Sequence, residues 1–537
     1  MKKKMILLSS FLFALAITGC SSHNSTPVIP IDDVNGNGNG NGNGNGNGNG
    51  NVNGKYNSNY LDSNGDLSDE GWKRMIKDSY TYCEELVEQG SVLLKNDNNC
   101  LPLKANERKI TLFGNGSKNL YMRSGSGGAA PNENLVVDLH GAFASNGFEI
   151  NETVYGKYTS ISRNQLTNPS NTVELARLIC SSNNQEQLAD DVLASCNEYN
   201  DAAIVTFVRG GTENSDIPAG KLDLNSEEKN VLKAIKNSGK FSKTIVLINA
   251  PTPMSMDWAD KEEYGVDAIL YIGVPGYYGA GGVAHLLKGQ DRNGRPLSPS
   301  GHLVETFAAS ASSSPAYQNF GDSNAAVYKE GVYVGYKYYE TRYEDCVLNQ
   351  GNANGSAGTF NSTGSWNYAD EMGYPFGYGL SYLNFKQSIT NVTYDSKTDE
   401  YTVGVQVQNL STTAGKASIQ VYVQQPYTVF DKENNLGKSS IALMAYDKVD
   451  VNAGATITTT VSFPRYLLTT YDCEINKQYI LEDEETGGGV SPEHTETGGL
   501  PRASAAGQER RQKGLGRGDD DIHHGGRFRR RNGQPCA

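Results

Sequence analysis

The stretch from Ala202 to Leu224, AAIVTFVRGGTENSDIPAGKLDL, places the tightest limit on what this chain can fold into. Its first part, Ala202 to Val208, is a nearly unbroken apolar run rich in β-branched side chains. A half-exposed strand would alternate apolar with polar residues. An unbroken run belongs to a strand covered on both faces, as in a parallel sheet. The chain then turns polar and glycine-bearing through Arg209-Gly210-Gly211-Thr212-Glu213-Asn214-Ser215-Asp216. A helix is expected next, with Ser226 as its N-cap and Glu227 and Glu228 well placed in its first turn. Glu213 therefore falls just past the C-terminal end of a central strand, where open α/β sheets collect their ligand chemistry. Loop carboxylates are usually just solvated, so position alone gives Glu213 no role.

The rest of the chain extends the same pattern. Gly71 to Asn96 reads as a helix carrying into an apolar segment. Strand signals recur at Ile110–Phe113, Ala202–Val208, Thr244–Ile248 and Ala268–Ile272, and helical patterns lie between them at Asn134–Ser145, Gln187–Cys196, Glu227–Asn237 and Gly282–Lys288. This alternation predicts an α/β sandwich, a mostly parallel sheet with helices on both faces. After about Tyr382 helical periodicity fades. Strand-like stretches follow at Ser388–Val392, Tyr401–Val407, Ser418–Gln424, Ile441–Tyr446 and Thr456–Phe463, separated by turn signals such as Ser396-Lys397 and Ala453-Gly454. Short strands at this spacing predict an all-β sandwich of the fibronectin III or immunoglobulin type.

Ahead of these domains, Met1 to Met5 is basic, Ile6 to Ile17 is mostly apolar, and Thr18-Gly19-Cys20 ends the leader in small residues. That is an export signal, too short to span a bilayer as a mature helix. Ile17-Thr18-Gly19-Cys20 also resembles the bacterial lipoprotein box, which implies lipidation at Cys20 and an outer-membrane protein on the periplasmic face or the cell surface. The strict Asn-Gly alternation from Asn35 to Gly50 has nothing apolar to bury and reads as a flexible tether. With a net charge of -13, the chain has no electrostatic footprint for nucleic acid. Cys83, Cys100, Cys180, Cys196, Cys346 and Cys473 show no CxxC or His spacing, so no metal is expected, and their pairing cannot be read from spacing. His140, His285 and His302 form no evident nucleophile–base set.

Several segments together resemble glycoside hydrolase family 3, the β-glucosidases and their relatives. Glu88 to Asp97 followed by Leu101-Pro102-Leu103 is similar to the opening of that family's carboxy-terminal domain. Arg123-Ser124-Gly125-Ser126-Gly127 resembles its glycine-serine loop, and Arg209 to Asp216 its R-x-S-G-E-G-x-D segment. Ser298 to Phe307 resembles P-S-G-K-L-x-x-T-F, while Glu330–Tyr339 and Tyr374–Tyr382 are the closest matches. The later strands resemble the family's fibronectin-like domain, and coverage runs from about Tyr80 to Leu481. The resemblance implies hydrolysis of O-glycosidic bonds in β-linked gluco- or xylo-oligosaccharides, or in aryl β-glycosides, with retention and without a cofactor. It makes Glu213 the general acid/base. Arg209, Asp216, Gly125, Ser126 and Gly127 become a substrate-binding or domain-interface loop set. Thr212 and Asn214 depart from the family's glycines, which leaves the path of that loop open.

The family's nucleophile is an Asp on a (β/α)8 barrel, a fold of about 250 residues. No stretch of that length is free in this chain, so the barrel is expected to be missing from it. The order matches relatives that carry the barrel last. Met256-Asp257-Trp258 is similar to the nucleophile's S-D-W, but it lies between two sandwich strands, where relatives have M-x-W-A. Past Leu481 apolar residues almost vanish and no period survives; a disordered segment, a basic interaction tail and a metal-binding His pair at His523-His524 are bland readings. The preferred reading is a frame slip near Leu481. The expected organisation is a signal peptide over 1–20, a tether over 21–70, the α/β sandwich over 71–345, a connecting segment over 346–384, the fibronectin-like domain over 385–482 and an aberrant tail over 483–537. The competing class is a non-catalytic surface lipoprotein that binds sugar or a protein partner. If Cys20 is the lipidation site, blocking lipoprotein signal processing in cells should leave an unprocessed precursor. Normal maturation of a Cys20→Ser protein would contradict that assignment.

Overall fold

The computed structural model describes residues 60–61, 68–122, 136–158, 175–211, 217–320, 325, 327–328, 330–353, 366–482, 489–490 and 503–505. The expected signal peptide, nearly all of the tether and most of the tail therefore lie outside the described residues. Trp72–Ala537 form one unit, and the description below concerns it.

A six-stranded sheet organises the first domain. Its strands are β1 (Val92–Asn96), β2 (Lys109–Phe113), β3 (Glu149–Ile150), β4 (Ala202–Val208), β5 (Thr244–Asn249) and β6 (Ala268–Tyr271). They lie in the order β1-β6-β5-β4-β2-β3. All neighbours are parallel except β1, which runs antiparallel to β6. The helix expected to carry into the apolar run after Gly71 stops at Gly90, and Val92–Asn96 becomes this edge strand instead.

The apolar runs are buried on both sides. Ala203, Val205 and Phe207 of β4 face one core with Val246 and Ile248 of β5. Ala202 and Ile204 face the other with Ile245 and Leu247. Helices α1 (Asp69–Gly90), α2 (Leu139–Ser145) and α7 (Ala280–Lys288) feed the second core; α3 (Glu152–Lys157), α4 (Leu175–Ile179), α5 (Asp190–Ser195) and α6 (Ser226–Ser238) feed the first. This is the sandwich that the unbroken strands predict. Glycines bring α7 against α1: a Cβ on Gly282 would stand 2.5 Å from the Glu84 carbonyl oxygen.

The expected N-cap of α6 is corrected by one residue. Asn225, not Ser226, takes the extended cap position; its side chain accepts from Glu228 N at 2.9 Å, and Glu228 returns a carboxylate to Asn225 N at 3.0 Å. A capping box needs its acid at the third helical position, and Glu228 satisfies that only from Asn225.

The second domain begins beyond α8 (Tyr336–Leu348), a helix that runs through the expected boundary at residue 345. Short strands β7 (Phe307–Ala308) and β8 (Met372–Tyr374) pair beside it, with α9 (Tyr368–Glu371) leading into β8. Then β9 (Phe385–Asp395), β10 (Glu400–Asn409) and β13 (Thr456–Pro464) form one antiparallel sheet. Strands β11 (Gly415–Gln424) and β12 (Ile441–Val451) form another. Val403, Val405 and Val407 of the first sheet meet Ile419, Val421 and Val423 of the second in a single core. A hairpin of β14 (Thr470–Asp472) and β15 (Gln478–Glu482) follows. Two short tail strands, Gly489–Val490 and Ala503–Ala505, add to β15 and β11.

The two domains share a polar seam. Ser418 Oγ donates to the Ser300 carbonyl at 2.8 Å, and Gln420 Nε2 to the Gly377 carbonyl at 3.1 Å. Lys448 of β12 reaches across to the Gln89 carbonyl at 2.8 Å, at the C-terminal end of α1, and to Ser300 Oγ at 3.2 Å. A cation suits that helix end. Burial, with repulsion from Lys416, nevertheless pushes its amine down from 10.5 to about 8. Below pH 8 the amine is charged in both folded and unfolded chains, and the folded state carries the desolvation cost. Between about 8 and 10.5 the unfolded chain binds more proton, so this group makes stability rise with pH. Urea denaturation of the parent and Lys448→Met at pH 7, 9 and 10 should show the parent gaining on the variant across that window. A difference independent of pH would contradict the burial argument.

Candidate active site at the C-terminal edge of the sheet

The segments singled out in the sequence leave the sheet side by side. β2 and β4 are parallel neighbours, with Phe113 opposite Val205. From the end of β2 the chain passes Gly114, at φ +81°, and runs through Tyr121 and Met122. The glycine-serine loop begins at Arg123, and Arg123, Gly125, Ser126 and Gly127 lie outside the described residues. From the end of β4 the chain passes Arg209, Gly210 and Gly211. Glu213 and Asp216, with Thr212 and Asn214, lie outside the described residues too. The roots of both loops are defined.

Arg209 holds one root. It is buried, and all five of its N–H donors are used inside the domain. Nη1 donates to Glu228 Oε1 at 2.7 Å and Nη2 to Glu228 Oε2 at 2.8 Å. The remaining donors go to the carbonyls of Val208 at 2.9 Å, Asp223 at 2.7 Å and Lys221. The sequence placed Arg209 in a substrate-binding or domain-interface loop set, and in the structure its donors go to the base of that loop. Its fork clasps the outgoing end of β4, the returning strand of the loop at Lys221–Asp223, and the start of α6.

Asn249, the last residue of β5, holds the other root. Fully buried, it accepts from Tyr121 N at 2.6 Å through Oδ1, and its Nδ2 donates to the Tyr121 carbonyl at 3.1 Å and the Gly273 carbonyl at 2.7 Å. Its own carbonyl accepts from Arg209 N at 3.0 Å. Tyr121 closes the link by donating its hydroxyl to the Gly211 carbonyl. One asparagine and one tyrosine thus join the root of the glycine-serine loop to the root of the Glu213 loop. Sequence reading passed over Asn249 and Tyr121, and gave Glu228 only a place in the first turn of α6. A polar residue closing the apolar run Thr244-Ile245-Val246-Leu247-Ile248-Asn249 was the available signal for the first.

The same edge carries another acid. Glu305 is exposed, yet the protein around it pushes its carboxyl above the usual range by desolvation. Its charge is felt by Tyr271, the last residue of β6, whose hydroxyl donates to the Ala250 carbonyl at 3.0 Å just past β5. A cavity of about 250 Å³ opens nearby, with Asp257, Asp260, Lys261, Asp370 and Tyr374 in its lining. Asp257 pairs with Lys261 at 2.7 Å, and Asp260 with Lys95 at 3.4 Å. Trp258 is fully buried edge-on to Phe207, 5.8 Å between ring centres, so Met256-Asp257-Trp258 serves the core.

The histidines lie apart. His285 pairs with Glu88 at 2.6 Å between α7 and α1, and His140 with Glu152 at 2.7 Å. His302 is pushed down to about 4, chiefly by burial. Among the described residues, no group of three or more His, Cys, Asp or Glu is placed to hold a metal ion, and no helix is long and apolar enough to cross a membrane. Cys83, Cys100, Cys180, Cys196 and Cys473 are free thiols.

Comparison with known proteins gives this arrangement a setting. Residues 91–336 match the Glycosyl hydrolase family 3 C-terminal domain. A β-glucosidase of Ruminococcus albus is 28% identical over 71% of this chain and 36% of its own length. The thermostable β-glucosidase B of Acetivibrio thermocellus is 24% identical over 74% of this chain and 45% of its own length. Among solved structures, β-glucosidase 3B of Thermotoga neapolitana in complex with glucose superposes with a TM-score of 0.58 at 26% identity. It covers 78% of this chain and 52% of that one. The chain spans about half or less of each of these relatives.

Truncating Arg209 should be costly, because it leaves the Glu228 carboxylate buried and uncompensated. Arg209→Ala is expected to lose about 3–5 kcal/mol in chemical denaturation, with Arg209→Met/Glu228→Leu recovering a substantial part. Equal loss in single and double variants would show that the fork acts through something other than charge pairing.

Proposed function

Because residues 91–336 form a glycosyl hydrolase family 3 C-terminal domain, joined here to a following β-sandwich, we propose that this chain is the acid/base-bearing half of a β-glucosidase-like hydrolase. The substrate class is β-linked gluco- or xylo-oligosaccharides, and the reaction proceeds with retention. The observation that carries this reading is the tied pair of loop roots. Tyr121, Asn249 and Arg209 fix two adjacent exits from the sheet, and the Glu213 loop leaves by one of them.

In this reading Glu213 protonates the departing glycosidic oxygen and later takes a proton from the attacking water. The first step needs a carboxyl still protonated near neutrality, raised by ~2 units through burial or a neighbouring negative charge. In this reading a further domain covers the loop in the working enzyme and supplies that burial. That domain also brings the nucleophile, since a retaining site needs its two carboxyl groups ~5–5.5 Å apart. The Cys20 anchor would tether the protein to a membrane.

The 537-residue chain alone should show little or no turnover of aryl β-glycosides. Joined to a nucleophile-bearing barrel, it should become active. There Glu213→Gln should abolish most hydrolysis of substrates with poor leaving groups and spare the first step on activated ones. Azide, a nucleophile needing no base, should partly rescue Glu213→Gly. Robust turnover by the present chain would overturn the division of labour, and an undiminished Glu213→Gln would overturn the acid/base.

A further inference from the structure

Helix α1 is held along one face and left bare along another. Tyr80 lies against Tyr278 at 4.2 Å between ring centres, Glu84 takes Arg292 Nε at 2.9 Å, and His285 meets Glu88 at 2.6 Å. Val87 is buried just ahead of α7, where a Cβ on Gly279 would stand 2.6 Å from its Cγ2. Turned well away from that face, Trp72 is 47% exposed, Tyr82 57% and Leu86 54%, with Met75 and Ser79 partly exposed between the first two. Trp72, Met75, Ser79, Tyr82 and Leu86 are spaced alternately three and four residues apart, so they form one stripe along the helix. Scattered exposed apolar residues need no explanation; a stripe with the spacing of a helix-pairing seam does.

The stripe is its own complement. Ser79, the smallest residue in it, sits at the middle, with Trp72 and Leu86 seven residues to either side and Met75 and Tyr82 four and three away. Turned end for end about Ser79, a second copy of α1 would set Trp72 on Leu86 and Met75 on Tyr82. The small central side chain lets two helix axes approach there. The charges obey the same reversal. Lys73, Arg74 and Lys77 crowd the N-terminal half, and Glu84, Glu85 and Glu88 the C-terminal half. Arg74 and Glu85 are eleven residues apart, about three turns, and so share one flank of the stripe, nearly equidistant from Ser79. Glu84 and Glu88 are engaged within the domain by Arg292 and His285, whereas Glu85 forms no ion pair among the described residues.

We propose that two copies of this chain pair through α1, antiparallel about a two-fold axis at Ser79, with Arg74 of each copy facing Glu85 of the other. A contact of this kind needs a patch that matches itself after reversal, and the stripe and its flank both do. A lipid surface fits less well, because interfacial helices carry a basic polar face, whereas Glu84, Glu85 and Glu88 line the C-terminal half here. One helix pair buries less than the ~1,600 Å² of a standard interface, so the pairing belongs to the weak class. It does not depend on the reaction assigned above.

The test uses the full chain with Cys83→Ser and Cys473→Ser, which removes the free thiols that are not buried; the same chain without an added cysteine is the control. Under mild oxidation Ser79→Cys should give a covalent dimer, because a residue on the axis meets its own copy. Trp72→Cys should not, since its copy lies ~21 Å away, too far for a disulfide; mixed with Leu86→Cys it should. Sedimentation should show a monomer–dimer equilibrium, with Leu86→Asp raising the dissociation constant about tenfold. Arg74→Glu and Glu85→Arg should each weaken the dimer about fivefold, and together they should restore it, which a folding defect would not do. A chain that stays monomeric at the highest soluble concentration would overturn the proposal. A shift in Trp72 emission with phosphatidylglycerol vesicles would then assign the stripe to a lipid surface, since Trp258 and Trp366 are buried and would not respond. Equal self-crosslinking at Ser79→Cys and Trp72→Cys, the mark of a parallel pair, would overturn it too, as would a double charge swap no better than the single ones.

Discussion

The Arg209–Glu228 fork is the interaction on which the arrangement at the sheet edge depends. Glu228 is the third residue of α6, and its carboxylate both closes the helix's capping box and receives the guanidinium. Helix start, strand end and loop return are thereby fixed by one charged pair. A buried ion pair is a poor source of net stability, because desolvating both groups offsets most of their attraction. What it provides is geometry. A planar guanidinium with five donors in fixed directions can accept only one arrangement of the three segments around it. A loop whose tip must present a carboxylate to within tenths of an ångström gains from such a base.

Asn249 extends that order sideways. Its amide completes the hydrogen bonds of Tyr121, and its backbone carbonyl receives Arg209 N, so β5 ties together the exits of β2 and β4. Asn249 and Tyr121 position the roots of the segments that carry the proposed reacting groups. The cluster sits at the C-terminal edge because parallel strands send all their outgoing loops to one side.

The contrast between the two faces of charge in this protein is instructive. Lys448 enters the seam between domains with no carboxylate partner among the described residues and finds the carbonyl end of α1, so its charge is held by a helix end. Glu305, beside Gly335, has no ion-pair partner among the described residues, and desolvation raises its carboxyl.

Much of this was legible in the sequence. The unbroken runs at Ala202–Val208 and Thr244–Ile248 required strands buried on both sides, and the structure places alternate residues of each in two separate cores. The change of rhythm after Tyr382 announced the second, antiparallel domain for the same reason: local periodicity is a local record of which faces are covered. Motif resemblance marked the two loops. The sequence did not reveal that Arg209 is spent on Glu228, that Asn249 and Tyr121 join loop roots 90 residues apart along the chain, or that the cap of α6 is Asn225. Nor could it show Glu305 beside Gly335. Those facts depend on which segments meet in space, and a hydrogen bond between residues distant in the chain leaves no periodic trace along it. Pattern determined the strands and their burial; only the tertiary fold decided what the polar side chains at their ends would hold.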